Sequence, residues 1–233
     1  MRNGKNIALV LFGGTGERFG AKIPKQFIDC DGKPLMAETL CNIADMSCID
    51  EIYVVTHPDF MDETADVIDS YISKPIFGII PGGENRHESV KNALEYFEEK
   101  GEDPSSIIAI FDGDRPGIEE QIVEENYFQA REVGACVTAL PSTDSVFMSY
   151  DQVFVENYLD RKQIYLAQTP QTFRLDIILK AYQCCQNATT DDASLVAEMG
   201  EKVAIVAGNR KNDKITYPED LDIYLLRTGR RLP

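Results

Sequence analysis

Apolar residues gather along this chain in short, dense runs, and most runs are followed by stretches whose apolar residues recur at helical spacing. Residues 7–12, 52–56, 76–80, 107–111 and 135–140 are too short for buried helices and apolar on both faces, so they predict buried strands. Between them, 59–73 and 88–100 read as helices; in the second, Val90, Ala93, Leu94 and Phe97 share one face. Further helices are predicted to end near Val133, to cover 176–186, and to run from Thr190-Asp191-Asp192 through Met199. A last helix opens at Pro218-Glu219-Asp220, where a proline and two acids suit an N-terminus. Residues 203–206 read as a strand and 214–216 as a brief one. Strands separated by helices of this length form βαβ units. The prediction is an α/β fold: one doubly wound, mainly parallel, Rossmann-like sheet with its site at the carboxyl ends of the strands.

Residues 142–168 break that rhythm. Val146, Phe147, Val153, Phe154 and Tyr165 are β-prone, and no helical period runs through them. A long insertion has its own structure or a partner to pack on. We read it as an extended β-arm that pairs with a second copy, giving a homodimer; an ordinary surface hairpin is the alternative. With no repeat, low-complexity tract or linker, residues 1–233 read as a single domain carrying that arm.

Composition narrows the class. The chain has 233 residues, 43% of them hydrophobic, enough for one substantial core. A net charge of −16 argues against nucleic acid as a partner, because phosphate backbones demand a basic face. No apolar run reaches the length of a membrane span, and Gly13-Gly14 interrupts the N-terminal run too early for a signal peptide. The cysteines Cys30, Cys41, Cys48, Cys136, Cys184 and Cys185 show no metal spacing and read as free thiols of a cytoplasmic protein.

The chemistry begins where the first strand stops, at Gly13-Gly14-Thr15-Gly16-Glu17-Arg18-Phe19-Gly20, followed by Pro24-Lys25-Gln26. Glycines at a strand end present bare backbone N–H groups to an anion, and Arg18 and Lys25 add cations. The segment is neither a P-loop nor a dinucleotide fingerprint, and alone it is equally a tight βα turn. Three further segments carry polar groups at strand ends. Gly82-Gly83-Glu84-Asn85-Arg86-His87-Glu88-Ser89 suits recognition of a base and ribose, or simply caps a helix. In Asp112-Gly113-Asp114-Arg115-Pro116, Asp112 suits Mg²⁺ or a ribose hydroxyl and Arg115 a phosphate. Thr169 in Gln168-Thr169-Pro170-Gln171 places a hydroxyl for a phosphate oxygen.

Together these segments resemble the cytidylyltransferases that activate polyol phosphates, namely the 2-C-methyl-D-erythritol 4-phosphate and ribitol 5-phosphate enzymes. The matches are G-G-x-G-x-R with P-K-Q, G-G-x-x-R-x-x-S, D-x-x-R-P, Q-T-P-Q-x-F, T-D-[DE]-A at Thr190, and N-x-K-[IV]-T-x-P-E-D-L at Asn212. They recur in order from Gly13 to Leu221. The resemblance implies CMP transfer from CTP to a polyol phosphate with Mg²⁺, small-molecule substrates and a dimer. It assigns Arg18, Lys25 and Lys214 to the reacting phosphates. Gly13, Gly14, Thr15, Gly16, Gly82, Gly83, Arg86, Ser89 and Asp112 fall to the nucleotide. Asp112, Arg115, Ser145, Arg161 and Thr169 fall to the acceptor, with Ser145 and Arg161 reaching into the partner subunit's site.

Departures bear on the acceptor. The family normally shows His-Asp-Ala-Ala-Arg-Pro or His-Asp-Ser-Val-Arg-Pro where this chain has Phe111-Asp112-Gly113-Asp114-Arg115-Pro116. The extra carboxylate of Asp114 would bear on polyol recognition. Gly13-Gly14 in place of two alanines, no basic residue after Ser145, and Tyr165 favour ribitol 5-phosphate or a related pentitol phosphate, with methylerythritol phosphate as the alternative. A nucleotide-binding regulator without turnover is a reading of another class, disfavoured by four phosphate-type cations. A sugar 1-phosphate nucleotidyltransferase is disfavoured by the Q-T-P-Q and K-I-T-x-P-E-D segments.

Overall fold

A computed structural model describes residues 4–14, 23–184 and 191–230. Parallel strands β1 (Asn6–Phe12), β2 (Glu51–Thr56), β3 (Gly78–Pro81) and β4 (Ile107–Asp112) form one half of a seven-stranded sheet. The other half holds β5 (Ala135–Pro141), a long β8 (Tyr165–Arg174) and β9 (Ala204–Ala207). The strand order is β3-β2-β1-β4-β8-β5-β9, with β8 antiparallel to both neighbours and the remaining pairs parallel.

The doubly wound character follows from alternation along the strands. In β1, Ile7 and Leu9 join one core with Val90, Leu94 and Phe97 of α3 (Arg86–Glu99), and with residues of α5 (Leu175–Cys184) and α6 (Asp192–Glu198). Ala8, Val10 and Phe12 point to the opposite core, with Met36 and Leu40 of α1 (Leu35–Ala44), Ile68 of α2 (Met61–Tyr71), and Val123 and Tyr127 of α4 (Glu120–Val133). Both faces of every central strand are thereby covered, as a parallel sheet requires. A third cluster seats α7 (Pro218–Arg227) through Leu221 and Leu225 against Cys30, Leu35 and Ile215.

Two expectations need correction. Residues 214–216 form no strand: Ile215 donates one ladder-like bond, to the Asp114 carbonyl at 2.9 Å. The β8 strand begins at Tyr165, so residues 165–168 of the expected arm belong to the main sheet, where Leu166 pairs with Leu140. The rest of the arm is a short hairpin of β6 (Val146–Met148) and β7 (Asn157–Leu159), with Phe147 opposite Tyr158. It carries a run of exposed apolar side chains: Tyr150, Val153, Phe154 and Tyr158 are each about 70% exposed or more. Among the described residues, no helix is long and apolar enough to cross a membrane.

Candidate active site

The carboxyl ends of β1, β2 and β4, with the middle of β8, surround a cleft of about 980 Å³. Parallel strands leave their loops at one edge of the sheet, so chain-distant segments converge there. Nine of the residues singled out in the sequence line it: Gly13, Gly14, Lys25, Arg86, Ser89, Asp112, Arg115, Thr169 and Lys214. Thr15, Gly16 and Arg18 lie outside the described residues. Gly82 and Gly83 stand just behind the wall.

One end of the cleft is a tight turn around the Ser89 hydroxyl. This oxygen accepts from Gly83 N at 3.1 Å and donates to the Asn85 carbonyl at 2.9 Å. Gly13 and Gly82 crowd it so closely that a Cβ on either would approach Ser89 Oγ to about 3 Å. Asn85 caps α3 by accepting from Glu88 N, which fixes Arg86 at the helix start.

The other end is charged and organised on Asp112, the last residue of β4. Its carboxylate meets Lys214 Nζ at 3.0 Å, Arg115 Nε at 3.3 Å and Arg86 Nε at 3.5 Å. Burial pushes the Asp112 carboxyl up, but Lys214, Arg86 and Arg115 together outweigh it and hold the group well below the usual carboxylate range. Its backbone N–H donates to Thr169 Oγ1 at 3.0 Å, which leaves the hydroxyl proton of Thr169 for a ligand oxygen. Behind Arg86 lies buried Asp192, 2.7 Å from Arg86 Nη2, whose other oxygen accepts from Tyr182 OH at 2.5 Å. Burial works against the Arg86 charge, and Asp192 and Asp112 more than restore it. Arg86 Nη1 is buried and has no hydrogen-bond partner among the described residues, a donor in the wall of the cleft.

Lys25 is held differently. It opens a single turn of 3-10 helix, and its Nζ lies 2.6 Å from Asp114 Oδ2 and 2.6 Å from the Ile215 carbonyl. Asp114, the extra carboxylate expected to bear on polyol recognition, is thus the partner of Lys25. Sequence reasoning gave no role to Asp192, Gln168 or Asn212. Gln168 and Asn212 are buried amides that brace Thr169 from behind, Asn212 Nδ2 donating to the Thr169 carbonyl at 2.7 Å. The signal for Asp192 was its T-D-[DE]-A match. Ser145 and Arg161 are exposed on the arm and do not line this chain's cleft; Arg161 donates to the Thr143 carbonyl.

Among the described residues no three His, Cys, Asp or Glu side chains gather as a metal cage. Of the carboxylates that line the cleft, Glu84, Asp112, Asp114 and Asp191, Asp112 ends β4 among three cations that suit phosphates. That donor set fits Mg²⁺, which takes one or two carboxylates together with phosphate oxygens.

A glycine turn and cations converging on strand-end acids at the carboxyl edge of a doubly wound sheet define a nucleotide-transferring enzyme. The family model of 2-C-methyl-D-erythritol 4-phosphate cytidylyltransferase matches residues 7–225. The enzyme of that name from Alkaliphilus oremlandii is 35% identical, with 97% of each chain covered. Its counterpart from Syntrophus aciditrophicus is 38% identical, with 93% of each covered. Among solved structures, 4-diphosphocytidyl-2C-methyl-D-erythritol synthase from Anaerococcus prevotii superposes with a TM-score of 0.81 at 29% identity, covering 97% of this chain and 99% of that one. The chain belongs to the 2-C-methyl-D-erythritol 4-phosphate cytidylyltransferase family and is a nucleotidyltransferase of the cytidylyl class.

These relatives do not support the expected preference for ribitol 5-phosphate; the methylerythritol alternative fits them better. The physical reason lies in where the ribitol-like signals fall. Among the described residues a Cβ at Gly14 would meet nothing within 4 Å and one at Gly13 would meet Ser89 Oγ in the glycine turn, so glycine against alanine there says little about an acceptor. Tyr165 is exposed and outside this chain's cleft.

Proposed function

We propose that this enzyme transfers CMP from CTP to 2-C-methyl-D-erythritol 4-phosphate, releasing pyrophosphate. The observation that carries this reading is the meeting of Arg86, Arg115 and Lys214 on Asp112 at the carboxyl end of β4, with Lys25 on Asp114 beside it, in a chain of this family. An oxygen of the acceptor phosphate attacks the α-phosphorus of CTP. The bond from that phosphorus to the bridging oxygen breaks, and pyrophosphate leaves with its electron pair. The attacking phosphate is already ionised, so no general base is needed; catalysis is positioning and charge neutralisation.

The nucleotide lies against Gly13, Gly14, Gly82, Gly83 and Ser89, and the motif assigns Thr15 and Gly16 to it as well. Lys25, Lys214 and Arg18 serve the α-phosphate as charge builds in the transition state. Arg86 and Asp112 complete the nucleotide end, and Asp112, Arg115 and Thr169 hold the acceptor. Asp112 would hold Mg²⁺, which supplies further charge neutralisation on the triphosphate. Residues 1–233 act as one catalytic domain with the arm as its appendage. The exposed arm residues Tyr150, Val153, Phe154 and Tyr158 support a homodimer, in which Ser145 and Arg161 serve the partner subunit's cleft. The cysteines of the described residues are unpaired, which agrees with a reducing, cytoplasmic setting.

Nucleotide choice is tested by thermal shift with CTP, UTP, GTP and ATP. A ligand that binds only the folded state at about 100 times its Kd adds about 2.7 kcal/mol of stability. CTP alone should raise Tm substantially; an equal shift with UTP or ATP would overturn the assignment.

A further inference from the structure

Asp114, Ile215 and Lys25 come from three distant parts of the chain and close a ring of hydrogen bonds. Ile215 N donates to the Asp114 carbonyl at 2.9 Å. The Ile215 carbonyl accepts from Lys25 Nζ at 2.6 Å, and that ammonium donates to Asp114 Oδ2 at 2.6 Å. The ion pair is largely shielded, each side chain being 16% exposed. The second Asp114 oxygen, Oδ1, is buried, has no hydrogen-bond partner among the described residues and lies 3.7 Å from Lys214 Nζ.

A lysine ammonium carries three donors in tetrahedral array. Two of those on Lys25 are spent on the ring, and Lys25 lines the cleft, so one remains for a ligand. An unheld lysine chain would spread over many rotamers, and ordering it costs conformational entropy. A fixed ammonium meets its phosphate without that ordering at the moment of reaction. We propose that Asp114 is a positioning residue for nucleotidyl transfer, clamping Lys25 so that its remaining N–H is presented to the reacting phosphate. The proposal rests on the reading of Lys25 as a phosphate ligand given above. It differs from a latch, in which Asp114 would merely withhold Lys25 until a nucleotide displaced it.

The test compares the full-length enzyme with Asp114→Asn, Asp114→Ala and Asp114→Glu in two measurements. The first is acetylation of Lys25 in the ligand-free protein by a water-soluble acetylating ester, scored by mass spectrometry against Lys91, a half-exposed lysine on α3. Loss of a charge-assisted hydrogen bond should raise Lys25 labelling roughly tenfold in Asp114→Ala and less in Asp114→Asn. The second is the kcat and KM split for pyrophosphate release from CTP with methylerythritol phosphate. Removing the clamp should lower kcat by roughly 10- to 100-fold while the KM for CTP stays within about threefold, and Asp114→Glu should recover part of the loss. Unchanged Lys25 labelling in Asp114→Asn and Asp114→Ala would overturn the clamp. So would a wild-type kcat in Asp114→Asn, or a lowered KM at constant kcat, the mark of a latch. If the unaltered enzyme shows no transfer, the proposed reaction fails instead, and the labelling ratio still decides whether Asp114 holds Lys25.

Discussion

The ring of Phe12 occupies the space that a side chain at Gly113 would need. A Cβ built on Gly113 would stand 2.2 Å from Phe12 Cε1 and 2.7 Å from the Leu11 carbonyl. Phe12 ends β1 and Gly113 follows β4, its neighbour in the sheet, so the bulk on one strand end is matched by the missing bulk on the other. The glycine that departs from the resembling family's motif is therefore packing, and it sets the path of the loop from Asp112 to Arg115.

Gly113→Ala should accordingly destabilise the protein by about 1–3 kcal/mol, the usual cost of overpacking. Phe12→Leu frees part of that space, so the double variant should lose less than the sum of the single ones. The Leu11 carbonyl stays in place, and the recovery should be partial. Urea unfolding of the four proteins measures the coupling; strict additivity would show that the two residues do not share the space.

Arg86 and Asp192 form a second dependent pair. The Asp192 side chain is 2% exposed, and Arg86 is its cation at 2.7 Å. Arg86→Ala leaves that carboxylate buried with, among the described residues, only the Tyr182 hydroxyl beside it, and should cost about 3–5 kcal/mol. Arg86→Lys should cost less, because it keeps the charge without the second, Asp112-facing nitrogen. Equal unfolding midpoints for Arg86→Ala and the unaltered protein would refute the pairing.

Asp112 gives a pH signature with a definite sign. Its carboxyl is depressed in the folded state, with burial overcome by Lys214, Arg86 and Arg115. A depressed carboxyl stabilises the fold above its unfolded pKa of about 3.9, and the contribution drains away as pH falls toward the folded value. The unaltered protein should therefore lose stability below about pH 4 more steeply than Asp112→Asn, while the difference between them stays constant from about pH 5 to 8. Urea midpoints at pH about 6 and about 3.5 decide it; parallel losses in both proteins would contradict the ion cluster.

The sheet was mostly legible in advance, with one instructive exception. Runs such as Ile107–Asp112 show themselves because both faces are apolar. The central strand β8 did not, because its buried positions Gln168, Thr169, Gln171 and Thr172 are polar. Those groups are satisfied one by one: Gln168 donates to the Asn209 carbonyl, Thr172 to Asn126 Oδ1, and Gln171 Oε1 accepts from Ala193 N. Hydrophobic periodicity sees no strand whose core contacts are hydrogen bonds. In the site, glycines and cations stood out singly, but the bond from Lys25 to Asp114 joins residues 89 positions apart. Composition and spacing carry no trace of such a pair; only the sheet order brings it together.

The arm yields a solution prediction. Phe147 and Tyr158 face one another across the hairpin with ring centroids 6.0 Å apart and are 51% and 75% exposed. On the proposed homodimer, replacing Tyr158 and Phe154 by aspartate should give a monomer in sedimentation velocity and cut turnover at least tenfold, because the proposed reach of Arg161 into a partner's cleft would be lost. A fully active monomer would remove the arm from the mechanism.

The acceptor is the central claim, and pyrophosphate release tests it most directly. Purified enzyme, CTP and Mg²⁺ are offered 2-C-methyl-D-erythritol 4-phosphate and ribitol 5-phosphate in parallel. The account predicts turnover with the methylerythritol substrate, at a kcat/KM at least about 100-fold above that for ribitol phosphate, a contrast within reach of a site that hydrogen-bonds its acceptor. Turnover confined to ribitol 5-phosphate, or none with either despite CTP binding, would contradict it.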